Sequence, residues 1–136
     1  MSFHTLLVAN RGEIARRIIR SAHDMGIRCV AVYVDADAAA PFVRDADEAV
    51  RLETGYLDGP AVVEAARASG AGAIHPGYGF LSENADFAAQ VGAAGMAWVG
   101  PPPKVITQMG DKIAAKALAE KAQVPILPGS EDPGAA

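Results

Sequence analysis

Short apolar runs alternate with amphipathic stretches along this chain, and the two periods predict strands and helices in turn. "HTLLVA" is the first run. After "NRGE", Ile14, Ile18, Ala22 and Met25 recur at helical spacing while Arg16, Arg17, Arg20 and Asp24 fall elsewhere, which predicts a strand, a turn and an amphipathic helix. Asn10 is the expected cap of that helix, with Glu13 completing a variant capping box, and Gly26 is its expected stop. "RCVAVYV" is β-branched and almost continuously apolar, the pattern of a strand buried on both faces of a parallel sheet. "DADAAAPFVRDADE" reads as a polar loop and "AVRLE" as a third short strand. "GPAVVEAARASG" reads as a helix opened by Pro60 and closed by Gly70, and "GAIH" as a fourth strand. "NADFAAQVGAAG" is a further helix and "MAWVG" a further strand, ended by the rigid "PPP". "KVITQMGDKIAAKALAEKAQ" predicts two helices divided at Gly110, followed by extended and then flexible chain in "VPILPGSEDPGAA".

This alternation predicts an α/β fold: an open, mostly parallel, Rossmann-like sheet with helices on both faces. In such sheets ligands bind beyond the carboxyl ends of the strands, so the turns after Ala9, Val34, His75 and Val99 should share one functional edge.

Composition narrows the function classes. A chain of 136 residues fits one domain, and 51% apolar against 21% charged residues excludes a disordered one. Net charge is −4 and no Lys/Arg run occurs, so neither nucleic acid nor an anionic membrane finds an electrostatic footprint. No apolar run approaches membrane-spanning length, and no basic segment precedes "LLVA" as in a signal peptide. Cys29 has no intrachain disulfide partner. Its run "CVAVYV" makes it a small buried hydrophobe in a reducing, cytoplasmic compartment.

The candidate chemistry gathers in "HPGYGFLSEN". Gly77 and Gly79 allow positive φ and close approach of a ligand, while Tyr78 offers a flat face and a hydroxyl. A tight turn with Tyr78 covering the sheet edge explains the same residues. His75 has no ligand-spaced partner and reads as structural, and Asn84 or Ser82 caps the next helix. In "MGDK", Lys112 stands near a helix start, where an ammonium opposes the dipole. A bound phosphate would give a reason for it; solvated surface is the alternative. No phosphate-loop motif or complete dinucleotide fingerprint is present.

Taken together, "LLVANRGEIARRIIRSAHDMGI", "AVYVDADA", "ADEAVRL", "GAIHPGYGFLSENADFA", "WVGPPP", "MGDKIAAK" and "VPILPGS" resemble the N-terminal part of biotin carboxylases, from about Leu6 to Ser130. These are the ATP-grasp subunits or domains of acetyl-CoA, propionyl-CoA and pyruvate carboxylases. The resemblance implies a biotin carboxylase N-terminal domain over residues 1–100 and a helical start of the ATP-grasp region over 101–136. It implies a ligase activity in the complete enzyme: ATP, Mg2+ and bicarbonate carboxylate biotin on a carrier domain. By the same resemblance Lys112 contacts the ATP phosphates, and Tyr78 and Gly79 line the biotin pocket. Arg17, Arg20 and Asp24 become candidates for a homodimer contact.

The family's lid and C-terminal lobe carry a second ATP lysine, the metal-binding glutamates, the bicarbonate-binding arginine and the catalytic base. None of these is in this sequence, so no catalytic residue and no metal ligand is assigned here, and the isolated chain is expected to be inactive. Its expected partners are that remainder, a biotin carboxyl carrier domain and a carboxyltransferase. Phe42 stands where the family commonly has histidine, and the segment around "GYLDG" is shorter than usual. A standalone binding or assembly module, or half of a split carboxylase, is the alternative reading, and another ATP-grasp ligase ranks below both.

Overall fold

The computed structural model describes residues 3–110 and 112. Five strands, β1 (Thr5–Val8), β2 (Arg28–Tyr33), β3 (Glu48–Arg51), β4 (Ala73–His75) and β5 (Ala97–Trp98), form one sheet in the order β3-β2-β1-β4-β5. All four pairings are parallel. The order reverses between β1 and β4, where Leu6, Leu7 and Val8 stand opposite Ala73, Ile74 and His75. The loops after β1 and β4 therefore leave the sheet side by side in opposite senses and open a crevice between them.

Strand periodicity divides the core. Leu7, Val30, Val32 and Ile74 face one side, against Val62, Ala65 and Ala66 of helix α3 (Gly59–Ser69) and Phe87 and Val91 of α4 (Ala85–Ala93). Leu6, Val8, Cys29, Ala31 and Ala73 face the other, against Ala15, Ile19 and Ala22 of α1 (Gly12–Asp24). Alternate side chains point to opposite faces, so a strand covered on both sides must be apolar throughout. β3 lies at the edge and keeps an alternating half-buried pattern.

Two local expectations are corrected. The segment read as a polar loop contains a 3-10 turn at Asp35–Asp37 and the short helix α2 (Pro41–Asp45). Pro41 opens α2, and Phe42, 1% exposed, anchors it in the α1-side core; tertiary burial overrides the local polarity. Asn10 is not the cap of α1: Arg11 occupies that position with no side-chain cap bond, because the Asn10 carboxamide is engaged elsewhere.

Other end signals hold. Asp58 Oδ1 accepts from Ala61 N at 3.1 Å, Pro60 lies in the first turn of α3, and Gly70 closes it at φ 74°. Asn84 rather than Ser82 caps α4, its Oδ1 accepting from Phe87 N at 3.0 Å. Residues 103–110 are helical. The second helix expected beyond Gly110 and the extended tail lie outside the described residues, apart from Lys112.

Candidate functional site at the carboxyl edge of the sheet

The loop from His75 to Glu83 crosses the crevice. Gly77, Gly79 and Phe80 have φ of 67°, 63° and 48°, so three of four successive residues adopt backbone that side chains disfavour, one of them a phenylalanine. A short 3-10 helix, Phe80–Glu83, follows and leads into α4.

Asn10 holds this loop from the neighbouring turn. Its Nδ2 donates to Pro76 O at 2.8 Å and to Tyr78 O at 2.7 Å, while its Oδ1 accepts from Arg11 N at 2.8 Å. The side chain is buried, at 3% exposure. Gly77 lies directly against it, and a Cβ there would meet Asn10 Nδ2 at 2.6 Å. This position has to be glycine for two independent reasons, its backbone conformation and its neighbour.

A second tie runs around the same edge. Arg11 grips Asp37 in a bidentate pair, Nε to Oδ2 and Nη2 to Oδ1, both 2.7 Å. Tyr56 Oη donates to Asp37 Oδ2 at 2.5 Å, and the Tyr56 ring stacks on Phe80 with centroids 5.5 Å apart and planes 5° apart. The loops after β1, β2, β3 and β4 are thus linked in a closed circuit, from Arg11 through Asp37, Tyr56 and Phe80 back to Asn10. The hydrogen bonds from Arg11 and then Tyr56 hold the Asp37 carboxyl down to about 2. Burial, then the bond to Asp37, pushes the Tyr56 hydroxyl up to about 12. Both groups keep one protonation state across the physiological range. Next along the edge, Arg51 pairs with Asp35, Nε to Oδ1 at 2.5 Å, which lowers the Asp35 pKa through that bond first.

His75 is half-buried, and desolvation lowers its pKa, favouring the neutral ring. Gly77 N donates to its Nδ1 at 3.1 Å, so that nitrogen is an acceptor and the proton sits on Nε2. This matches the structural role expected of it.

The residues singled out from the sequence fall in three places. Tyr78 projects from the loop with 79% of its surface exposed, and Gly79 beside it is exposed, with nothing within 4 Å of where a Cβ would stand. Arg17 of α1 lines the same cleft as His75 and Tyr78, an open hollow of about 370 Å³ floored by Leu6, Ile18 and Val99. Arg20 and Asp24 line a separate hollow with Arg16, His23 and Asp45, beside the stripe that positions 17, 20 and 24 form at three- and four-residue spacing along α1. None of the three has an ion-pair partner among the described residues, whereas Arg16 is bound to Asp45 at 2.7 Å. Lys112 is itself helical and exposed.

Sequence reasoning missed Asn10, Asp37 and Tyr56 as parts of this edge. Asn10 carried a signal that pointed to helix capping, and Asp37 and Tyr56 lie in segments whose composition suggests only loop.

Among the described residues no group of carboxylates converges at this edge, and Asp35 and Asp37 each face an arginine. Among the described residues the one cluster of metal-ligating side chains, His23, Cys29 and Asp47, lies at the opposite end of the sheet. There Asp47 Oδ2 accepts from Cys29 N and lies 2.8 Å from His23 Nε2. What the carboxyl edge presents is an exposed aromatic face, an exposed glycine backbone and arginines of which Arg11 and Arg51 are already paired with carboxylates.

A model of the biotin carboxylase N-terminal domain matches residues 2–106. The chain is 54% identical over 133 residues to the biotin-dependent acyl-coenzyme A carboxylase alpha3 subunit of Mycobacterium leprae, covering 94% of this chain and 22% of that protein. It is 49% identical over 133 residues to the biotin carboxylase of Pseudomonas aeruginosa, covering 94% of this chain and 30% of that one. Among solved structures it is similar to the biotin carboxylase domain of a thermophilic 2-oxoglutarate carboxylase bound to bicarbonate. The TM-score there is 0.80 at 45% identity, over 96% of this chain and 30% of the other. A dimer of such a domain from Hydrogenobacter thermophilus, in complex with MgADP and bicarbonate, matches with a TM-score of 0.81 at 44% identity, over 94% of this chain and 29% of that one. The chain therefore spans less than a third of the length of each of these relatives.

Proposed function

The chain belongs to the family of biotin carboxylase N-terminal domains, and from that premise we propose that its carboxyl-edge loop forms the biotin side of an active site completed by a further lobe. The observation that carries this reading is the Tyr78–Gly79 segment, exposed to solvent while the backbone beneath it is pinned by a buried side chain. An aromatic face next to an open backbone amide suits the biotin ring, which is neutral and carries a polar ureido edge. Residues 1–100 are the biotin carboxylase N-terminal domain, and 101–136 begin the ATP-grasp region.

In the complete enzyme Lys112 would meet the ATP phosphates, and positive groups with Mg2+ would stabilise the moving phosphoryl charge. Asp35 and Asp37 at this edge are each paired with an arginine, and by the family resemblance the metal would be held by glutamates of the C-terminal lobe of the complete enzyme. The carboxylated biotin, held on its carrier domain, would then deliver its carboxyl group to a carboxyltransferase. Arg17, Arg20 and Asp24 offer a charged face of α1 for a second copy of the domain. Among the described residues no helix is long and apolar enough to cross a membrane.

The test is a pair of assays on the purified chain: bicarbonate-dependent ATP hydrolysis, and carboxylation of free biotin. Neither activity is expected from the chain alone, and both are expected once it is covalently joined to a lid and C-terminal lobe. In the joined protein Tyr78→Ala should raise KM for biotin. Activity in the 136-residue chain alone, or a joined protein indifferent to Tyr78, contradicts the reading.

A further inference from the structure

The Asn10 carboxamide does more than fill space. Its orientation is fixed by its neighbours: two carbonyl oxygens lie on one side and the Arg11 N–H on the other, so a flipped amide would set oxygen against oxygen. The two carbonyls it draws inward come from alternate residues of the loop. In a trans peptide the N–H points opposite to the C=O. Drawing Pro76 O toward Asn10 turns the Gly77 N–H the other way, where it finds His75 Nδ1. Drawing Tyr78 O toward Asn10 turns the Gly79 N–H outward, and that amide has no acceptor among the described residues. The Tyr78 ring, 79% exposed, is aimed chiefly by this same backbone.

We infer that Asn10 is a positioning residue for the ligand loop: by holding the Pro76 and Tyr78 carbonyls it presents the Gly79 N–H and the Tyr78 ring together to a ligand with a hydrogen-bond acceptor on a flat ring. This rests on the functional reading above and adds to it the group that sets the geometry. The circuit from Arg11 through Asp37 and Tyr56 to Phe80 braces the far end of the same loop. Such bracing matters because Gly77 to Gly79, two of the three at positive φ, lie between the end of β4 and the 3-10 helix that begins at Phe80, outside either ladder.

The experiment exchanges this chain for the equivalent N-terminal segment of the Pseudomonas aeruginosa biotin carboxylase, 49% identical to it, and measures steady-state kinetics with free biotin and ATP varied separately. Asn10→Asp keeps the shape and replaces both donors by an oxygen facing two carbonyls. The expected result is a KM for biotin raised about tenfold or more, with KM for ATP within about twofold of the unsubstituted hybrid. Should that variant lose its cooperative melt, Asn10→Ser, too short to reach both carbonyls, is expected to give the same split. A biotin KM unchanged within about twofold, or biotin and ATP KM raised alike, overturns the positioning role and leaves the functional reading standing. An unsubstituted hybrid that folds yet shows no bicarbonate-dependent ATP hydrolysis overturns the functional reading, and the role of Asn10 falls with it.

Discussion

Replacing Asp37 by Asn keeps the size of the side chain and removes its charge, which makes it the sharpest probe of the circuit around the sheet edge. The carboxylate is 8% exposed and accepts three hydrogen bonds, two from Arg11 and one from Tyr56. Its pKa falls from the ordinary 3.8 to about 2, chiefly through the Arg11 bond and then the Tyr56 bond. At about 1.4 kcal/mol per pKa unit that difference corresponds to about 2–3 kcal/mol. Arg11 is 49% exposed, so water screens part of the interaction, and about 1.5–2 kcal/mol is the better expectation. For a domain of this size the loss should lower Tm by about 10 °C.

The assay is urea unfolding of the isolated chain and its Asp37→Asn variant, followed by far-UV circular dichroism across a range of pH. Because the folded pKa is depressed, the contribution is fully present above the unfolded value of about 4 and disappears as pH falls through about 2. The stability gap between the two proteins should therefore shrink by more than half between about pH 7 and about pH 2.5. A gap below about 0.5 kcal/mol at neutral pH, or one that does not change with acid, refutes the assignment of Asp37 as the hub of the circuit.

Four further outcomes are expected. Gly77→Ala combines a left-handed backbone with a Cβ 2.6 Å from Asn10 Nδ2, and should cost about 2–4 kcal/mol. Gly95→Ala, left-handed but in open space, should cost only about 1–2 kcal/mol in the same urea titration. Asn84→Ala removes the cap on α4 and should cost about 1 kcal/mol, read as a Tm lower by several degrees. Cys29 is fully buried, with its thiol pushed up to about 11 by burial first and by Asp47 second. An aromatic disulfide reagent at neutral pH should thus label it only as fast as the chain opens, and immediate stoichiometric labelling of the folded protein would contradict this.

By itself the sequence determined the layered plan. Continuous apolar runs such as "CVAVYV" belong where both sheet faces are covered, and the intervening amphipathic stretches supply the helices that cover them. Pro60, Gly70 and Asn84 marked helix ends because their backbone or side-chain chemistry acts locally, on residues a few positions away. The loop "HPGYGFLSEN" showed its turn chemistry for the same reason, in glycines that adopt positive φ, whereas the hold of Asn10 on it is long-range. What only the tertiary structure decided was everything carried by contacts far apart in the chain. Phe42 makes a helix where local polarity suggests a loop, because the α1-side core has room for its ring. Asn10, a helix cap by its neighbours, bonds instead to residues 66 and 68 positions away. Asp37 and Tyr56 become a brace because parallel strands deliver their loops to one edge. A side chain with several possible partners takes those that folding brings within reach and shields from water, and strand order, which periodicity does not encode, selects them.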